Sequence, residues 1–352
     1  MEFASDNTAM VHPAILAALN AANAGTAASY GADDWTRRAM ARLEEVFETR
    51  IRGFFVGTGT AANALALSAI ASPVGTVLCH GEAHINTDEC GAPELLTGGA
   101  KLTPVEGTGC KVDVDTLDGA LRPFVRGFHQ QAPQAVSITQ ATELGMVYEA
   151  EEVAAIGAFC RARGLRLHMD GARFANALVS TGASAADLTW KAGVDVMSFG
   201  ATKNGAMGVE AVVFFDTALA EAFEYRVKRS GHVVSKGRFL GAQMLAYLEG
   251  DLWLANAHHA NAMADRLAGG LVAVAGVRLA LPVQANEVFA IFPAGLHARL
   301  QAAGAHYYDW PGERIGDDGP RAGEVLVRLV TSFATRPEEI DNLLAHARAE
   351  AA

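Results

Sequence analysis

Cysteine is scarce in this chain, and what there is lacks pattern. Cys79, Cys90, Cys110 and Cys160 are scattered with no C-x-x-C pair, which argues against a zinc site and a disulfide framework and fits a reduced cytoplasm. Dense Lys/Arg tracts are missing as well. With 39 acidic residues against 28 basic ones the formal charge is −11, so no nucleic-acid surface is expected and small metabolites are the expected partners. No apolar run approaches the length of a membrane span. The first residues carry Glu2 and Asp6 where an export signal would have a basic region and an apolar stretch, so neither a membrane nor secretion is expected. Repeats and low-complexity segments are also absent, although alanine is plentiful.

What is present is length, apolar content and glycine. A chain of 352 residues with 51% hydrophobic content and 36 glycines can build one large α/β domain with a smaller one appended. Residues 13–50 read as two helices around a polar hinge at 29–34, the second with apolar spacing at Ala39, Leu43, Val46 and Phe47. Strands are predicted at 54–56, 76–79, 101–105, 135–138, 165–168, 194–199 and 211–215, with helical stretches between many of them. That alternation predicts a mostly parallel sheet with helices on both faces. One long helical reading runs from 218 to 268. Strands at 277–279, 287–292 and 324–330, a helix at 295–303 and a closing helix from Pro337 then form an α+β unit. Gly250-Asp251 interrupts the helical pattern, so the expected division is a cofactor-binding large domain over 1–250 and a small α+β domain over 251–352.

The chemistry-bearing residues sit at the predicted strand ends. Lys203 closes the apolar run Val194-Asp195-Val196-Met197-Ser198-Phe199 and is followed by the flexible pair Asn204-Gly205. A lysine enclosed away from water is less readily protonated and can form a Schiff base, whereas a solvated loop lysine does nothing of the kind. Upstream, His168-Met169-Asp170-Gly171-Ala172-Arg173 follows another strand, and the stretch from Asp170 to Lys203 is long enough for a helix and the next parallel strand. Both side chains would then emerge at neighbouring carboxyl ends. Pyridoxal phosphate enzymes need such a pair, a lysine for the aldehyde carbon and an aspartate for the pyridinium nitrogen. The plainer alternative is a surface Asp-Gly turn.

Three segments, Asp170-Gly171-Ala172-Arg173, Ser198-Phe199-Gly200-Ala201-Thr202-Lys203-Asn204-Gly205 and Phe3-Ala4-Ser5-Asp6-Asn7-Thr8, make the chain resemble the threonine aldolase family of fold-type I pyridoxal phosphate enzymes. The likeness runs from Phe3 to Thr335. It implies retro-aldol cleavage of a β-hydroxy-α-amino acid, of threonine, allo-threonine or phenylserine type, to glycine and an aldehyde. By the same resemblance Gly59 and Thr60 hold the cofactor phosphate with Asn63 supporting the loop, and His84 stacks on the pyridine ring and is a candidate base for the β-hydroxyl. Asp170, Arg173 and Lys203 complete the cofactor set; Arg173, Arg328 and Ser5 take the substrate carboxylate. Tyr30 resembles an aromatic residue that reaches a neighbouring subunit's site, which would make a dimer the smallest active unit; the family resemblance implies a homotetramer with shared sites, and Arg226, Lys228, Arg229 and Lys236 would bring charge across the same interface.

Two departures stand out. Gln140-Ala141-Thr142-Glu143 replaces a Glu-Asn-Thr-His segment, so Glu143 either accepts a hydrogen bond from the substrate hydroxyl or merely faces water. The Ala-Thr-Lys-Asn-Gly form of the lysine segment points to a separate branch. Within the same fold a β-eliminating lyase or an aminotransferase would use nearly the same residues. From another class, Gly57-Thr58-Gly59-Thr60-Ala61-Ala62 after a strand also satisfies the dinucleotide pattern G-x-G-x-x-G/A, and Glu82 stands about 20 residues further on, where an NAD-dependent dehydrogenase keeps its ribose-binding acid.

Overall fold

The computed structural model describes residues 1–312, 315 and 318–349, and among them the strands fall into two sheets. The larger holds β1 (Arg52–Val56), β2 (Gly75–His80), β3 (Lys101–Val105), β4 (Ala132–Thr139), β5 (Arg166–Gly171), β6 (Val196–Gly200) and β7 (Glu210–Phe214), in the order β1-β7-β6-β5-β4-β2-β3. Neighbours from β6 to β3 are parallel, and β7 runs antiparallel to both β6 and β1. The carboxyl ends of every strand but β7 therefore meet along one edge, where β7 begins.

Every residue of β2, β6 and β7 is buried, which is why these strands read as continuous apolar runs. Their side chains alternate between two cores. Met197, Phe199, Ala211 and Val213 join Leu167 and Met169 on one face, while Val196, Val212 and Phe214 pack on the other against the helix Gly59–Ile70. That helix is buried nearly all round, since its alanines bring it close to the sheet without a polar stripe.

The smaller sheet, β8 (Arg278–Leu279), β9 (Glu287–Pro293), β10 (Tyr308–Asp309) and β11 (Glu324–Val330), is antiparallel in the order β10-β11-β9-β8. Phe3 belongs to its core beside Leu267, Phe292 and Leu343. The Phe3 amide donates to His306 O at 2.8 Å and its carbonyl accepts from the Val330 amide at 2.8 Å, so the first residues continue this sheet before the chain crosses to the larger one.

Several expectations change. The helical reading over 218–268 resolves into the helices Phe223–Arg229, Arg238–Leu248 and Leu252–Leu271. Left-handed backbone at Gly231 (φ 83°), Gly250 (φ 61°) and Asp251 (φ 56°) stops them; the interruption at Gly250-Asp251 was expected from the sequence, and the one at Gly231 was not. β5 runs past residue 168 to Gly171, so Asp170 lies inside a strand and not in a surface turn. The dinucleotide alternative fails on topology. That fold places its glycine loop after a central parallel strand. Here β1 is an edge strand antiparallel to β7, and β2, which leads to Glu82, is not its neighbour. Among the described residues no helix is long and apolar enough to cross a membrane.

Candidate active site

The strand ends surround a cavity of about 280 Å³. Lys203 reaches it from the short turn Thr202–Asn204 that follows β6. Asn204 pins this turn from behind, donating to Tyr247 OH at 2.9 Å and Trp253 O at 2.8 Å. Glycine is required just before it: a Cβ at Gly200 would lie 2.5 Å from Ala172 O, so the ends of β6 and β5 approach backbone to backbone. Asp170, on β5, lines the same cavity. Its Oδ1 accepts the Ala172 amide at 3.0 Å and its Oδ2 the Asn63 Nδ2 at 2.7 Å. The Lys203 ammonium makes no hydrogen bond or ion pair with the described residues.

Asn63 does more than support the glycine loop. Its Nδ2 also donates to Glu89 Oε1 at 2.8 Å, and that oxygen lies 2.9 Å from Nδ1 of His84. The hydrogen bond to Glu89 raises the His84 imidazole above its ordinary range, against the downward pull of burial. Burial raises the Glu89 carboxyl in turn. Glu89 escaped the sequence reading because an acid in the loop after His84 looks like any solvated loop acid.

Glu143, beyond β4, is enclosed, which excludes the water-facing alternative. Its Oε1 accepts from the His84 amide at 2.9 Å and from Thr139 Oγ1 at 3.0 Å, while Oε2 is buried without a partner. Burial pushes this carboxyl up to about 7. Glu210, the first residue of β7, was also missed; it accepts from the Ala201 amide at 2.8 Å, and burial pushes it up to about 7.

Arg173 lines the cavity but is already engaged, its Nε and Nη2 donating to Asp6 at 2.8 and 3.1 Å and its Nη1 lying 3.5 Å from Glu287. Burial drives the Asp6 carboxyl upward, yet Arg173 more than offsets it and leaves Asp6 below its ordinary range. This pair docks the amino-terminal segment on the site. Ser5 accepts the Asn7 amide at 3.1 Å and does not line the cavity; Asn7 does. Arg328 stands behind, its Nη1 3.9 Å from Glu287, its Nη2 donating to Ala4 O at 3.3 Å, and its guanidinium 4.6 Å from the Trp310 ring. Burial lowers its pKa.

Tyr30 lies away from the cavity, 61% exposed, with Lys228 Nζ 5.2 Å from its ring. Arg226, Lys228, Arg229 and Lys236 are exposed, and none lines the cavity. His80 is the buried last residue of β2 and does not line the cavity: its Nδ1 accepts the Glu82 amide at 3.1 Å and its Nε2 lies 3.1 Å from Gly107 O.

These residues fit pyridoxal phosphate. Gly59 and Thr60 open the helix Gly59–Ile70, so no helix carbonyl takes their amides, and a Cβ at Gly57 or Gly59 would meet no atom within 4 Å. Open space beside such amides suits a phosphate, and a buried carboxylate together with an unpaired lysine suits the rest of the cofactor.

Comparisons with known proteins agree with this geometry. The family model for β-eliminating lyases matches residues 2–294. A low-specificity L-threonine aldolase from a Pseudomonas species is 42% identical over 99% of this chain and 97% of its own. One from Pseudomonas aeruginosa is 45% identical over 89% of this chain and 90% of its own. The solved structure of Leishmania major threonine aldolase superposes with a TM-score of 0.90 at 31% identity, covering 98% of this chain and 97% of that one.

Proposed function

Since the chain belongs to the β-eliminating lyase family, alongside the low-specificity L-threonine aldolases, we propose that it cleaves a β-hydroxy-α-amino acid between Cα and Cβ, releasing glycine and an aldehyde. The observation that carries this reading is the meeting of Asp170 and the unpaired Lys203 at the ends of adjacent parallel strands, on one cavity. Pyridoxal 5'-phosphate, when bound, supplies the electron sink that makes Cα–Cβ cleavage possible.

The chain's own residues do the rest. Lys203 would hold the aldehyde carbon, Asp170 the ring nitrogen, and the amides of Gly59 and Thr60 the phosphate. Asn63 keeps the Asp170 carboxylate in place through its 2.7 Å hydrogen bond. Arg173 meets the substrate carboxylate with Nη1, the nitrogen engaged only by the 3.5 Å contact to Glu287, while Ser5 and Arg328, which do not line the cavity, act from behind it by holding the amino-terminal segment in place. Orientation by such a clamp selects which bond breaks. His84 accepts the β-hydroxyl proton, directly or through water, and Glu143 hydrogen-bonds the same hydroxyl. Tyr30 reaches the site of a neighbouring subunit in a homotetramer, and the protein works in the cytoplasm. A functional division near residue 250 separates the cofactor-binding part from the smaller α+β part.

The test is the visible spectrum of the purified protein beside Lys203→Ala, before and after borohydride, with mass mapping of any adduct. We expect a yellow wild type with the adduct on Lys203, a colourless variant, and glycine released from a β-hydroxy amino acid. A protein left unmodified after incubation with pyridoxal phosphate sinks the proposal. Ammonia or a keto acid in place of glycine would reassign the chemistry to elimination or transamination.

A further inference from the structure

A buried run of hydrogen bonds links His84 to Asp170 through Glu89 and Asn63. Glu89 has a fully buried side chain, yet one of its oxygens serves two partners, His84 Nδ1 at 2.9 Å and Asn63 Nδ2 at 2.8 Å, while the other has none. Both hydrogens of the Asn63 amide are spent on carboxylates, one on Glu89 and one on Asp170 at 2.7 Å. Sequestering two acids around one amide is costly unless the arrangement serves something else. His84, Asn63 and Asp170 all line the cavity, and His84 is the one of them with a ring nitrogen to offer there.

We propose that Glu89 is a positioning residue for the reaction, holding His84 with Nδ1 protonated and Nε2 free toward the cavity, and that Asn63 locks this arrangement to Asp170. The inference rests on the aldolase reading for its chemistry but not for its geometry. An Nδ1–H donated to a carboxylate leaves Nε2 as the only ring nitrogen able to accept a proton. When the β-hydroxyl gives up its proton to Nε2, the O–H pair becomes the aldehyde π bond, the Cα–Cβ pair stays with the glycine half, and the imidazolium is paired with Glu89. The groups facing His84 are Glu89, Asp170, Glu143 through the backbone amide, and Lys203, which opposes protonation of the ring. Glu89 is the one in direct contact with a ring nitrogen.

The experiment is ¹⁵N NMR of the histidine-labelled full-length protein as purified, with His84→Asn to assign the signal. Wild type should show the Nδ1–H tautomer when neutral and titrate above a free imidazole. Glu89→Gln keeps an oxygen acceptor for both partners and removes the charge. It should lower the His84 titration, move the acid limb of the kcat profile to lower pH with it, and reduce kcat by about ten- to hundredfold. Borohydride trapping at Lys203 should be unchanged, which separates failure of this inference from failure of the cofactor reading. An Nε2–H tautomer in wild type overturns the proposal with no variant needed, and so does a Glu89→Gln protein whose His84 titration and pH profile stay put.

Discussion

Replacing Glu143 by glutamine tests whether a carboxyl really sits uncharged in this cavity. The side chain ordinarily titrates at 4.5 and is pushed up to about 7 by burial. Between those values the unfolded chain gives up a proton that the folded chain keeps, so the folded state binds more protons and loses stability as pH rises. Below the lower value both states are protonated and the full stability is present; above the higher one the loss is complete. A pH unit between folded and unfolded titration is worth about 1.4 kcal/mol, so the loss is about 3.5 kcal/mol at most, and cavity water would trim it to between about 1 and 3.

Glutamine keeps the acceptor for the His84 amide and Thr139, and its new NH₂ occupies the place where Oε2 is buried without a partner. That donor costs about 1–3 kcal/mol if it finds no partner, but the cost does not depend on pH. The variant should therefore gain on wild type from pH 5 to pH 8 whatever its starting offset. At roughly 2 °C per kcal/mol for a chain of this size, the gain is about 2–6 °C in Tm. Thermal melts of both proteins, stripped of small molecules, across that range measure it. Glu210 titrates with the same sign in both and cancels. A Tm difference that stays constant with pH refutes the reasoning.

Asp6→Asn leaves the buried Arg173 guanidinium one neutral oxygen acceptor in place of the carboxylate, with the looser contact to Glu287 as its nearest remaining negative charge. We expect a loss of about 3–5 kcal/mol by chemical denaturation, and KM should rise more than kcat falls because the Ser5-to-Thr8 segment is no longer docked. Wild-type stability would show that Arg173 does not depend on this partner. Gly200→Ala places a methyl 2.5 Å from Ala172 O, against backbone that cannot move aside. A cost of at least about 1–3 kcal/mol and a reduced yield of the Lys203 adduct should follow, read from Tm and mass mapping; an unperturbed Tm would mean that the strand ends are not so closely packed.

Much of this protein is legible in its sequence because the relevant signals are local. Buried parallel strands read as short apolar runs, the Gly57-to-Ala62 segment marks a loop and a helix start, and Lys203 and Asp170 stand out because each follows or closes such a run. The motifs around them were enough to name the family. Of the breaks in the 218–268 helical stretch, the one at Gly250-Asp251 was legible and the one at Gly231 was not, since a lone glycine is tolerated within a helical pattern.

Only the tertiary structure decided what the charged side chains do. Whether Gly57-to-Ala62 faces a nicotinamide or a pyridoxal cofactor turns on β1 being an antiparallel edge strand, a pairing that no residue of β1 announces. Arg173 and Arg328 read as waiting donors but share Glu287, and Asp6 claims the first of them from far along the chain. Glu89 and Glu210 carry no mark in the sequence that sets them apart from ordinary acids, and both are buried. Position in sequence sets which groups a chain owns, whereas protonation and pairing depend on what is within a few ångströms and how much water is excluded, and those are properties of the folded packing alone.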